Sequence, residues 1–470
     1  MTTEFTTIPD NRRKPGAPLE FSLKAGANSL QGNTQKVLIA AQKTGSGTAA
    51  ANTPVRVYSE GHARGLFGAG SIAHIMCKLA IKANEYLLLY VLPLADAASS
   101  AAAVGSIAIT GPATAPGRLT LYVGAVPVKI NVASEDTAAE IATALKAALD
   151  NLPDLPVTAA VNSGTITLTA KNKGTLGNTI ILSAETDAAG AAFTITAMTG
   201  GALDPDMEDA LAIVAGERYH IIASPLNDED SLAALAAHCE AVSAASAEKW
   251  GMGVFGYPSG GLAAACTLGG ELNSWLLSGF YLRGSKTAPF EQAAVYAAVL
   301  AAEEDPARPL NTVEMTGVAA PAIADRLSDP EQESCLYNGV TPGEVATDGS
   351  VQIVRAITSY VKDGDGNADA TLLDITTPRS LFYTAEAVLR RIRSVFPRAK
   401  RTAGKTATAV KTELLDVLRR LEAAEIVQNV AANQPDATDD PNNISRIIMD
   451  IPARVVPGAH IIAGQIRLVV

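Results

Sequence analysis

The sequence of 470 residues carries a net charge of −11, with 48% hydrophobic and 5% aromatic residues. A chain of this length exceeds a single hydrophobic core, so about two to four domains are expected, and the acidic balance speaks against a dedicated nucleic-acid binder. No apolar run approaches the roughly 20 residues that cross a bilayer, and the widely spaced Cys77, Cys239, Cys266 and Cys335 predict buried reduced thiols rather than a disulfide framework or a zinc site.

The opening MTTEFTTIPDNRRKPG has no apolar signal-peptide segment, which predicts folding in a cytoplasm. With Pro9, Pro15, Pro18 and the basic Arg12, Arg13 and Lys14, residues 1–20 read as an extended arm. TQKVLIAAQ and PVRVYS then read as strands. Ser71–Asn84 has Ile72, Ile75, Met76, Leu79 and Ala83 at helical spacing behind Ser71 as N-cap, and Tyr86–Leu94 is a continuous apolar strand of the fully buried kind.

Composition changes at Ala95–Val104, an Ala/Ser linker. SIAITG, RLTLYVG and VPVKINV follow, then a helix over Thr137–Leu149, then PVTAAVNSGTITLTA, NTIILSA and FTITAM between Gly/Asn turns. One helix among many short Thr-rich strands predicts an inserted β-rich domain at 96–204. After Pro205 strands and helices alternate again: RYHIIASP, a helix over Asp228–Glu248, GMGVFGYP, a helix over Gly261–Asn273, SWLLSGFYL and a helix over Phe290–Glu303. That alternation predicts a parallel, doubly covered sheet, so 21–95 and 205–330 form one discontinuous α/β core domain. From 331 to 458 the pattern is α+β: a turn-rich GVTPGEVATDG, strand VQIVRAITSYV, turn KDGDGNAD, strand ATLLDIT, helices over Arg379–Phe396 and Thr406–Ala424, and a polar loop at Gln434–Asn443. The last stretch, Asn443–Val470, reads as two strands joined through Pro457-Gly458. In the second, Ile462, Ile466, Leu468 and Val470 share one face, and Ile461, Gln465, Arg467 and Val469 the other. A terminus this apolar needs a sheet to dock on, in its own subunit or a neighbour's.

Motifs that resemble catalytic or ligand sites fail on context. AKRTAGKT (Ala399–Thr406) fits a loose phosphate-loop pattern but follows a basic helix where a buried strand is required. GMGVFG (Gly251–Gly256) matches the dinucleotide pattern, yet its glycines surround the strand instead of following it. Asp363, Asp365, Asn367, Asp369 and Asp374 imitate a calcium loop with Ala368 at the glycine place and Asp374 at the glutamate place. His62, His74, His220, His238 and His460 show no metal-ligand spacing, and Ser259 in GYPSGG lacks the glycine of a nucleophile elbow. No catalytic residue, cofactor or metal is expected.

From Met315 onward the sequence resembles the tail sheath proteins of contractile-tailed bacteriophages. The resemblance is carried by Leu336 with Gly339-Val340-Thr341-Pro342, then VQIVRAITSY, the turn with Gly366 and Asp369, and Asp374-Ile375. The inserted stretch around TAAEIATALKAALDNLPDLPVTAAVNSGTITLTAKNKGTLGN resembles the outer domain of such sheaths in the Mu-like branch. The resemblance implies hexameric rings stacked helically around a tail tube protein, bounded by baseplate and tail terminator proteins. It also implies contraction that drives the tube through the host envelope, with assembly in the host cytoplasm and residence in the virion. It further implies an N-terminal arm near Thr2–Leu19 and a C-terminal exchange strand over 459–470 that add strands to neighbouring subunits. On this reading Ile461, Ile462, Ile466, Leu468 and Val470 dock on a hairpin over Val351–Thr376, including Val351, Ile353, Arg355, Leu372 and Ile375. The expected architecture is an α/β and α+β multidomain chain: a discontinuous α/β core with a β-rich insert, plus a C-terminal α+β domain with exchanged terminal strands. Neither nucleic acid nor membrane insertion is expected. A sheath from a headless, tailocin-like particle and an α/β nucleotide-binding enzyme are the alternatives.

Overall fold

Apolar runs suited to burial on both faces form the centre of the fold. A computed structural model of the chain describes residue 30, residues 32–258 and residues 260–468; the N-terminal arm at 1–20, Ser259, Val469 and Val470 lie outside them. The described residues divide into two units. The larger comprises Asn33–Tyr383, Glu425–Gln428 and the segment from Ala453, and the smaller comprises Thr384–Ala424 and Asn429–Pro452.

The larger unit begins with strand β1 (Lys36–Gln42), short β2 (Val55–Val57), helices α1 (Glu60–Phe67) and α2 (Ile72–Ala83), and β3 (Leu88–Leu94). Ser71 starts α2 as predicted: its hydroxyl accepts the His74 amide at 3.1 Å. From Val104 to Thr199 the chain builds β4 (Val104–Thr110), β5 (Gly117–Val123), β6 (Val126–Val132), α3 (Ala138–Asp150), β7 (Val157–Asn162), β8 (Thr165–Ala170), β9 (Leu182–Thr186) and β10 (Ala192–Thr199). These form a four-stranded sheet β10-β4-β8-β7 and a three-stranded sheet β6-β5-β9, antiparallel throughout. α3 is fixed by a Thr137/Glu140 capping box and buries Ile141, Leu145 and Leu149 in a hydrophobic cluster of the segment's own.

Polar side chains fasten this segment at its root. Asn172 accepts the Ile72 amide at 3.0 Å and donates to Lys43 O and Asp96 Oδ1, while Gln42 donates to Asp96 Oδ1 and Lys173 O. The Asn172 amide and the Gln42 NH₂ group thereby gain partners, which helps to make their burial tolerable.

The chain then returns through α4 (Met207–Val214), β11 (Ile221–Ala223), α5 (Glu229–Ser243), β12 (Met252–Gly256), α6 (Leu262–Leu272), β13 (Leu277–Tyr281), α7 (Pro289–Ala302), α8 (Asp329–Tyr337), β14 (Thr341–Val345) and β15 (Val351–Ile353). The eight-stranded sheet runs β15-β14-β13-β12-β11-β1-β3-β2, parallel from β14 to β3 with an antiparallel strand at each end. α7, Ala-rich and buried almost all round, packs on β12 and α2. The glycines of GMGVFG serve this packing: a Cβ on Gly256 would stand 2.1 Å from Pro289 O, and one on Gly253 would strike Leu235 and Leu277 at 2.6 Å.

Several expectations change. GVTPGEVATDG, read as turns, contains β14, which joins the main sheet. VQIVRAITSYV is a strand only over Val351–Ile353, and ATLLDIT makes a single bridge, Ile357 to Asp374. The next helix, α9 (Thr376–Val395), starts at Thr376 because Asp374 Oδ1 accepts both the amide and the hydroxyl of that threonine.

The smaller unit holds the rest of α9, helix α10 (Lys405–Ala423) and the hairpin β16 (Asp436–Asp439) with β17 (Ile447–Asp450). α10 buries Ala407, Val410, Leu414, Val417, Leu418 and Leu421 at heptad-like spacing. β16 lies in the segment read as a polar loop. Its Asp-Ala-Thr-Asp sequence has little strand propensity and is held by pairing with β17 and by Lys411–Asp436 and Arg401–Asp439 ion pairs.

Candidate assembly interface

The segment after His460 stands out. Ile461, Ile462, Ile466 and Leu468 are between 84% and 101% exposed, and residues 461–468 have no regular secondary structure. Soluble folds rarely leave four large aliphatic side chains within eight residues in water. Val470 lies outside the described residues.

The residues expected to receive this strand are placed differently. Val351, Ile353 and Ile375 are buried in the larger unit's own core. The outer edge of β15 is also occupied: Ile353 N donates to Val313 O at 3.0 Å, Met315 N to Val351 O at 2.8 Å, and Thr312 N to Ile353 O at 2.8 Å. Arg355 pairs with Asp374 at 3.3 Å, and Leu372 is half-buried in a turn. The stretch Val351–Thr376 therefore offers no vacant strand edge and no exposed apolar face. Its apolar alternation reflects burial inside the subunit.

Vacant edges occur instead on β16–β17, a sheet of two strands. Among the described residues neither outer edge is paired. Ile448 and Met449 on β17 are exposed, while Ala437 on β16 is buried. A lone hairpin of two strands is marginal in water and becomes stable when further strands join.

Sequence spacing gave no sign of the polar node at the base of the exposed segment. His460 Nε2 donates to Asp374 Oδ2, although the two residues are 86 positions apart, and Nδ1 lies 3.0 Å from the Asn311 amide nitrogen. Burial alone would raise the Asp374 carboxyl. Hydrogen bonds from His460 and the Thr376 amide, with the Arg355 charge, outweigh it and hold the group below its ordinary range.

The ligand-like motifs resolve into local structure. Gly404 N, the amide that a phosphate loop would offer, donates to Asp439 Oδ2, and helix α9 precedes the motif. Asp363 accepts the Asp365 and Asn367 amides, and Asp369 accepts from Thr371 and Tyr360, so these carboxylates fold back on their own turn. Glu60, His74 and Asp154 are the one group with metal-like proximity among the described residues. His74 Nδ1 accepts the Gly70 amide, so the neutral ring carries its proton on Nε2 and has no lone pair for a metal. Lys78 and Arg64 already neutralise the two carboxylates.

The sequence matches the phage tail sheath protein central domain over residues 200–359 and the phage tail sheath C-terminal domain over residues 367–469. It is 34% identical over 452 residues to the Mu-like prophage FluMu tail sheath protein of Haemophilus influenzae, covering 91% of each chain. The chain belongs to the phage tail sheath family. Its branch is the Mu-like one, and its relatives in this family are structural proteins, not enzymes. The sheath fold is also that of the sheath tail protein of Desulfitobacterium hafniense, with a TM-score of 0.53 at 13% identity, covering 94% of this chain and 97% of that one. The PVC sheath complex of an extracellular contractile injection system, in its contracted state, matches with a TM-score of 0.50 at 12% identity over 99% of both chains. Within this sheath chain, no helix of the described residues is long and apolar enough to cross a membrane.

Proposed function

We propose that the chain polymerises as stacked hexameric rings around a tail tube protein, between baseplate and tail terminator proteins. Contraction of this sheath drives the tube through the host envelope and delivers the genome. The observation that carries the reading is the exposed apolar segment 461–468 in a chain that also presents a hairpin whose two outer edges are unpaired among the described residues. Strand addition satisfies both: backbone amides and carbonyls pair along the hairpin edge, and alternate side chains set register. Each fully buried Ile or Leu contributes about 1.5–3 kcal/mol, which offsets the entropy of ordering the segment.

In this reading the receiving surface is β16–β17 of a neighbouring subunit, and the arm at 1–20 supplies a second added strand. Residues 96–204 face outward from the sheath, and 21–95 with 205–330 form the body. Contraction changes how bodies sit against one another while the exchanged strands keep them tethered. Electron microscopy of the purified full chain in negative stain tests the proposal: rings or tubes are expected, and a uniformly monomeric protein at high concentration overturns it.

A further inference from the structure

We infer that His460 is a positioning residue that fixes the point at which the exchanged strand leaves the subunit, with Asp374 and Asn311 as its socket. The inference rests on the reading of residues 461–468 as an exchanged strand. Main-chain pairing holds the preceding segment as far as Val456: Gln428 N donates to Arg454 O at 2.8 Å, and Val456 N donates to Ile426 O at 3.1 Å. Pro457 and Gly458 follow, and then the His460 ring enters the body with its side chain 12% exposed. One residue later Ile461 is 84% exposed. The change from body to free strand is completed in a single step.

The socket is built to hold the ring closely. A Cβ on Gly458 would lie 2.6 Å from both His460 Nε2 and Pro309 Cγ, so only glycine lets the chain turn the imidazole inward here. The ring nitrogens have partners on both sides. Nε2 donates to Asp374 Oδ2, and Nδ1 lies 3.0 Å from Asn311 Nδ2 and 3.1 Å from Asn311 Oδ1. A neutral ring accepts from the amide NH₂, and a protonated ring donates to the amide oxygen after the amide turns over. Asp374, and Arg355 behind it, are the charged groups facing the ring, so its hold persists in either charge state.

Asp374 does more than bind the ring. Its other oxygen caps the start of α9 through Thr376, and Arg355 bonds to the same oxygen as His460. A pull applied by a neighbouring subunit at Ile461 therefore passes through His460 into this node. Without the ring, the same pull would peel the Arg454–Val456 pairing.

Trypsin digestion of the unpolymerised full chain tests this, because Arg454 precedes the anchor and Arg467 lies beyond it in the exposed segment. His460→Ala is expected to speed cleavage after Arg454 by about tenfold and to leave cleavage after Arg467 unchanged. His460→Gln places an amide N–H where Nε2 stood, and is expected to restore most of the protection. Wild-type cleavage after Arg454 in the Ala variant, or a Gln variant cut as fast as the Ala variant, overturns the inference. Deleting 461–470 tests the parent reading separately: a truncated chain that polymerises normally removes the exchanged strand, while the trypsin result still decides whether His460 anchors the segment.

Discussion

Two antiparallel strand pairs in the last third of the chain, β14–β15 and β16–β17, differ in nearly every respect. The first is continued on one side by β13 and on the other by the Val313–Met315 segment, and has Val351 and Ile353 in the core. The second carries two aspartates on β16, has no third strand among the described residues, and joins its own ladder to two ion pairs, Lys411–Asp436 and Arg401–Asp439. The first pair has its backbone edges filled within its own unit, whereas the second leaves outer edges unpaired among the described residues.

The comparison can be broken most forcefully at Ile353. Ile353→Asp puts an unpaired carboxylate into the closed pair and is expected to cost about 3–5 kcal/mol in urea unfolding of the monomer. A loss under about 1 kcal/mol would mean that the β14–β15 side is not core.

At the open pair the effect should move from stability to assembly. Ile448→Lys is expected to change monomer stability by no more than about 0.5 kcal/mol, because the side chain is exposed. The same change should raise the concentration needed for polymerisation about tenfold by charging the edge that a neighbour's strand must meet. Urea unfolding of the dilute variant checks the first expectation, and sedimentation across a concentration series checks the second. Polymerisation at the wild-type concentration would move the receiving surface elsewhere.

Acid should separate the two pairs more gently. Asp436 is held below the ordinary carboxylate range by Lys411, Asp439 by the Gly404 amide and Asp440 by the Asn442 amide. Because each folded-state pKa lies below its unfolded value, their stabilising effect is present above the ordinary carboxylate range. It is lost as pH falls through and below that range. Amide protection in β16–β17, corrected for intrinsic exchange, should fall between about pH 5 and pH 3 while β14–β15 keeps its protection. Equal loss in both pairs would contradict the contrast.

Much of the fold could be read from the residues themselves. α2, α3, α7 and α10 announce themselves by apolar spacing, α2 also by its Ser71 cap, and β1, β3, β12 and β13 by continuous apolar runs between turn residues. What stayed hidden has local causes. β14 is Thr-Pro-Gly-Glu-Val and β16 is Asp-Ala-Thr-Asp, so tertiary pairing overrides poor strand propensity in both. Short α1, α4 and α8 carry too few turns for periodicity to register. Of the residues named for a subunit interface, Ile461, Ile462, Ile466 and Leu468 stand exposed, whereas Val351, Ile353 and Ile375 lie in the core, which is what their apolar alternation marks. His460 was grouped with the arm, whereas its ring belongs to the body through partners that lie distant in sequence.

The most direct test removes residues 461–470 and leaves His460 in place. A soluble subunit that unfolds within about 1 kcal/mol of the full chain is expected, since Ile461, Ile462, Ile466 and Leu468 are exposed rather than core residues. Electron microscopy of the truncated chain is expected to find no rings or tubes under conditions where the full chain forms them. A truncated chain that unfolds, or one that still assembles into normal tubes, would contradict these expectations.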